Sequence, residues 1–190
     1  MNGVSVLIII LAILVVGIYV IYVNLIQKKN KALEAFSSID VQLKRRYDLI
    51  PNLLKIANKF MNHEKELLTK ITELRSAANA FKADPNNAKE ILELDKLISQ
   101  KMQELKISLE NYPELKSDKT MLEAMQAYDK QEEYIAAARR FYNAAVLNLN
   151  NCVEIFPSSI VASWLKINKM PFFEASESEK QNINANDFFK

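Results

Sequence analysis

Side chains whose types and spacing can carry chemistry are few in this 190-residue chain. The single histidine, His63, stands beside Glu64. A di-iron bundle needs a set of carboxylates and two Glu-x-x-His motifs, but Phe60 occupies the position three residues before His63. His63 therefore reads as a solvated or hydrogen-bonded helical residue. The lone cysteine, Cys152, adjoins Val153 on an apolar face, where a thiol behaves as a small hydrophobe. Both glycines, Gly3 and Gly17, precede Ile18. Phosphate-cradling loops and nucleophile elbows, which require glycine where the backbone turns sharply or meets a phosphate, are thereby excluded from the rest of the chain. No catalytic residue, cofactor-binding residue or metal ligand is assigned, and the expectation is a protein that is not an enzyme.

The remaining grouping is the basic run in DVQLKRRYDLIPNLL, residues 40–54. Neighbouring helical residues point about 100° apart, so Lys44, Arg45 and Arg46 share no face and form no basic patch. A formal net charge of +2 is also too small a footprint for nucleic acid. Phe36, Ile39 and Leu43 continue at helical spacing to Arg46 and Ile50, which puts Arg46 on a buried seam. The same count puts Glu64 on the stripe of this segment, and Glu132 and Arg139 on that of a later one. Buried charge is costly unless paired. The expectation is an interhelical polar network of Arg46, Glu64, Glu132 and Arg139, with snorkelling to water as the alternative.

The elements that position these residues begin with an anchor. Val4 to Ile26 contains no charged side chain, and about 20 apolar residues suffice for a transmembrane helix. Lys28, Lys29 and Lys31 follow the span at once and sit where they can touch lipid headgroups, while nothing basic precedes it. The positive-inside rule then sets the N-terminus outside and the remainder in the cytoplasm. Arg46 lies some twenty residues beyond the span, roughly 30 Å along a helix, far outside a screening length of about 8 Å. Residues 1–27 read as anchor, 28–157 as a helical bundle, 158–173 as a short amphipathic segment and 174–190 as a disordered polar tail.

Within the bundle, Pro85, Pro113 and Pro157 separate helix-forming stretches over about 30–82, 86–110 and 117–155. Amphipathic helices with short links bury their stripes only against each other. Pro51 removes one helical hydrogen bond unless it falls in a first turn, which Asp48 as N-cap would allow. A kink or break near Asp48 is expected. The fold class is all-α: an N-terminal transmembrane helix followed by an antiparallel up-and-down bundle of three to four long helices.

The runs SSIDVQLKRRYDLIPNL, HE at His63 and Glu64, ENYPELK at 110–116, AARRFYNAAV at 137–146 and FPSSIVA at 156–162 resemble the signature blocks of the LemA family. Phe36 stands where tryptophan is common, and WLKI at 164–167 replaces a glycine-containing turn. The resemblance implies bacterial proteins with one membrane helix and a helical bundle, without an assigned activity. Three readings of function follow. The first is a membrane-anchored interaction or scaffold module whose partners are the bilayer and an unknown protein, not nucleic acid. An alternative is a ligand or lipid sensor with a pocket near Asn148, Asn150 and Asn151 or near Trp164. An enzyme of unfamiliar chemistry is the third.

Overall fold

The computed structural model describes residues 3–61, 64–80 and 84–173, with Asn86 by its backbone alone. Among them every regular element is helical. Helix α1 is Gly3–Ala57, α2 Lys65–Ala80, α3 Ala88–Ser108, α4 Pro113–Lys116, α5 Lys119–Glu154 and α6 Ser158–Trp164. The chain is thus an N-terminal apolar helix continued into a helical bundle. α1 pairs with α5 over the greatest length, α2 packs on α3, and α6 lies against both α1 and α5.

α1 is a single helix that begins in the apolar span and ends in the bundle core. It is the one helix among the described residues long and apolar enough to cross a membrane, and none of its most apolar stretch is buried. Burial begins at Leu25 and recurs at Ala32, Phe36, Ile39, Leu43, Arg46, Ile50 and Leu53, the three-and-four spacing of a seam.

Of the kink or break expected near Asp48, the break is absent, because α1 runs through Pro51 to Ala57. Proline at position 51 leaves the Tyr47 carbonyl without its helical donor. Arg75 of α2 supplies another, its Nε donating to that carbonyl at 2.9 Å. The chain breaks later, over 58–61, where Lys59 N and Phe60 N bond to carbonyls only three residues back. This tighter turn resets the helical phase. Phe60 is 38% exposed, whereas Met61 is 1% exposed and Leu68 carries the seam into α2.

α3 leads to α5 through a 3-10 turn at Leu109–Asn111 and α4, which Pro113 starts at a position where proline costs nothing. Asp118 caps α5, its carboxylate accepting from Met121 N at 2.9 Å. Beyond α6, Lys166 takes a left-handed conformation with φ 52°. From there an extended strap returns along α5, and its Ile167 and Phe173 join the core. The tail from residue 174, expected to be disordered, lies outside the described residues.

Candidate functional site

Asp95 of α3 is the centre of the one buried charge cluster among the described residues. It is 2% exposed, as is Arg46. Arg46 Nη1 donates to both carboxylate oxygens, at 3.1 and 3.2 Å. The Tyr47 hydroxyl donates to Oδ1 at 3.1 Å, and Arg139 Nη2 to Oδ2 at 3.0 Å. α1 and α5 thus close on α3 through a single carboxylate. The second guanidinium nitrogen of Arg46 donates to Ser99 Oγ at 2.9 Å and meets Glu132 Oε2 at 2.7 Å. The Arg46 guanidinium also lies over the Tyr128 ring, 4.6 Å from its centroid.

Two cations and two carboxylates balance here, the condition for burying Arg46 and Asp95, while Glu132, 51% exposed, reaches the cluster from its solvent edge. Burial opposes the charge on Arg46, but Asp95, Tyr128, Glu132 and Tyr47 together outweigh it and hold the guanidinium above its usual pKa. Burial, and then Asp95, push the Tyr47 phenol above its ordinary range. Burial also raises Tyr128, against the pull of Arg46. The Asp95 oxygens are already taken by donors. The arrangement joins α1, α3 and α5.

Of the four residues expected in a polar network, the structure brings Arg46, Glu132 and Arg139 together and leaves Glu64 out. Glu64 precedes α2, where its carbonyl accepts from Leu68 N, and it lines a solvent groove with Lys65, Lys70, Glu73, Lys101 and Glu104. The count that placed it on the seam crosses the turn at 58–61 and loses phase there. Asp95, Tyr47, Ser99 and Tyr128 are members that the expected network leaves out. The basic run divides accordingly: Lys44 pairs with Asp40 at 3.0 Å, Arg45 is exposed and Arg46 is buried. Lys28 and Lys29, half-buried, and Lys31, exposed, stand on α1 just past the apolar span.

A second polar constellation lies on α5. Asn150 Nδ2 donates to the Met170 carbonyl at 3.0 Å and its Oδ1 accepts from Met170 N at 2.9 Å. Asn143, two turns earlier, does the same with Phe173, at 2.7 and 2.8 Å. Each amide side chain reads one residue's main chain through both of its polar groups, as a neighbouring strand would. Between them the Tyr142 hydroxyl donates to the Pro171 carbonyl at 2.9 Å. Phe173 closes an aromatic group with Phe36 and Tyr142, at centroid distances of 6.1 and 5.7 Å. Of the asparagines expected to line a polar groove, only Asn150 does so, and the chain's own strap fills it. Asn148 donates to the Ala144 carbonyl on its own helix, and Asn151 is exposed.

No group of three or more histidine, cysteine, aspartate or glutamate residues among those described is placed to hold a metal ion. His63 lies outside the described residues. Cys152, half-buried, lines a groove with Ile21, Asn24, Leu25, Pro157 and Ser158.

The LemA family model matches residues 35–186, a range that contains Arg46, Asp95, Arg139 and both strap-binding asparagines. The chain is also 29% identical over 180 residues to Protein LemA of Metamycoplasma hominis, covering 92% of this chain and 81% of that protein.

Proposed function

The chain belongs to the LemA family, and from that premise we propose that it is a non-enzymatic scaffold, anchored in a membrane by α1, that presents its bundle to a partner protein. The observation that carries this reading is α1 itself. One 55-residue helix holds the apolar span at its start and Arg46 near its end, with no interruption between them. A bundle built on such a helix is fixed in height and orientation relative to the bilayer. The charge cluster supports the same reading, since its groups are engaged in joining α1, α3 and α5.

A surface for the partner is available on the outer side of α5. Tyr134, Ala137, Phe141 and Ala144 recur at helical spacing and are all exposed, Phe141 at 67%. Such a ridge suits the apolar groove of another helical protein. The sensor reading finds its space near Asn150 already taken by residues 170–173. Lys28, Lys29 and Lys31 after the span favour a cytoplasmic bundle.

The test is a photo-crosslinking residue at Phe141 in intact cells, with the same residue at Arg45 as control. One defined protein should be captured from position 141 and not from 45. Self-crosslinks alone from both positions would sink the reading. For topology, an impermeant thiol reagent should label a cysteine introduced at residue 2 and spare one in the C-terminal tail; the reverse pattern would place the bundle outside.

A further inference from the structure

We propose that α6 and the turn before it enter the hydrocarbon layer beside α1, so that lipid acyl chains cover the apolar face they leave open. The inference rests on the reading of α1 as a membrane span and adds a second membrane-inserted element to it.

The sequence from Ile155 to Leu165 carries no charged residue, lying between Glu154 and Lys166. One side of α6 is used in packing, with Val161 and Ala162 buried. The other is not: Phe156 is 75% exposed, Trp164 69% and Ile160 45%. These three side chains border an apolar groove of about 490 Å³ whose far wall is Leu14, Gly17, Ile18 and Ile21 of α1. Those α1 residues belong to the charge-free span, so whatever surrounds the span at that height also surrounds α6.

The depth follows from helix geometry. Ile18 precedes Lys28 by ten residues, or roughly 15 Å at 1.5 Å per residue, about half of a hydrocarbon layer some 30 Å thick. With Lys28 at headgroup level, the α1 wall of the groove from Ile21 to Leu14 lies roughly 10 to 20 Å deep, so α6 sits beside the middle of the layer.

Its main chain suits that place. The Ser158 hydroxyl donates to the Ile155 carbonyl at 2.8 Å, and Leu165 N and Ile167 N bond to the Val161 and Ala162 carbonyls. Main-chain groups satisfied within the protein are what hydrocarbon permits. Charge returns on both sides of the wedge at once, in the Lys169 to Glu154 ion pair.

Trp164 is also the chain's only tryptophan, which makes the native protein its own probe. The full chain is reconstituted into phosphatidylcholine vesicles with or without bromine atoms in the middle of the acyl chains, and flotation verifies insertion. Trp164 emission should be blue-shifted, should lose most of its intensity in the brominated vesicles, and should change little with iodide on both sides. Floating protein whose emission is red-shifted and quenched by iodide would show α6 in water and overturn the proposal while leaving the anchor standing. Emission shielded from both quenchers would mean that protein, such as a second copy, covers α6, and would overturn it equally. Protein that fails to float would remove the anchor and this inference with it. Moving the probe by combining Trp164→Phe with Phe156→Trp should preserve the quenching by brominated chains; its loss there would confine any lipid contact to Trp164 and refute insertion of the turn.

Discussion

The Arg75 guanidinium donates through Nε to the Tyr47 carbonyl at 2.9 Å, replacing the helical donor that Pro51 lacks. A proline inside a helix costs about 3 kcal/mol, in part because it leaves a carbonyl unmatched. α1 survives Pro51 because α2 folds back to supply a charged donor, so the helix and its partner stabilise each other at that point.

Arg75→Ala should therefore destabilise the protein by about 1–2 kcal/mol, the lower part of what a hydrogen bond to a charged group contributes, since Arg75 is partly open to water. In a Pro51→Ala background the restored amide at position 51 satisfies Tyr47, and the same Arg75→Ala change should cost much less. Denaturant unfolding of the four proteins in this cycle measures the coupling. Equal losses in both backgrounds would show that Arg75 acts by some other contact.

The three basic residues should part company on mutation. Arg46→Ala leaves Asp95 buried with one cation fewer, and breaking a buried pair costs about 3–5 kcal/mol. Arg45→Ala, on an exposed residue, should change stability by no more than roughly 0.5 kcal/mol. Unfolding midpoints of the two variants settle the matter, and small, equal losses would mean that the Asp95 cluster contributes nothing to the fold.

Much of that cluster is legible in the sequence, and where it is not the reason is geometric. Arg46 falls on a seam because α1 is unbroken from Phe36 to Ile50; on an unbroken α5, Arg139 and the half-exposed Glu132 flank the buried stripe. Glu64 fails because helical counting does not survive the turn at 58–61. Asp95 was within reach: Ile91, Asp95, Ile98, Met102 and Leu105 form an alternating four-three series, and all five are buried. A count that takes the half-buried Leu94 as the seam residue passes it by. The helix through Pro51 is not legible locally, since its remedy stands 28 residues away at Arg75. The strap has no periodicity of its own, and its trace is the pair Asn143 and Asn150, seven residues apart on one face of α5.

Alkaline pH should weaken the fold through Tyr142. Burial pushes its phenol up to about 12, against an ordinary value near 10. The folded state holds the neutral phenol more firmly than the unfolded chain does. That contribution is complete below about pH 10 and is lost as pH rises towards about 12. Tyr47 is displaced in the same direction, by burial and then by Asp95. Tyr142→Phe should flatten the decline of the urea midpoint across this window, while costing about 1 kcal/mol at neutral pH for the lost bond to Pro171. A decline as steep in Tyr142→Phe as in the parent protein would discharge Tyr142 from the effect.

The strap along α5 should come away in steps that follow its hydrogen bonds. Asn143 offers one donor and one acceptor to Phe173, and Asn150 does so to Met170. Asn143→Ala removes both, leaves buried main-chain groups unpaired, and should cost about 1–3 kcal/mol. Asn143→Asp keeps an acceptor for Phe173 N but faces the Phe173 carbonyl with a second acceptor, so it should rescue little. Hydrogen exchange separates a released strap from a loosened bundle. In the parent protein the amides of Met170 and Phe173 should be protected, because side-chain oxygens hold them. In Asn143→Ala the Phe173 amide should exchange freely while α5 amides stay protected, and in Asn150→Ala the Met170 amide should be the one released. Exchange that accelerates evenly across α5 and the strap would show that the asparagines support the whole bundle, and that the strap has no separate hold on it.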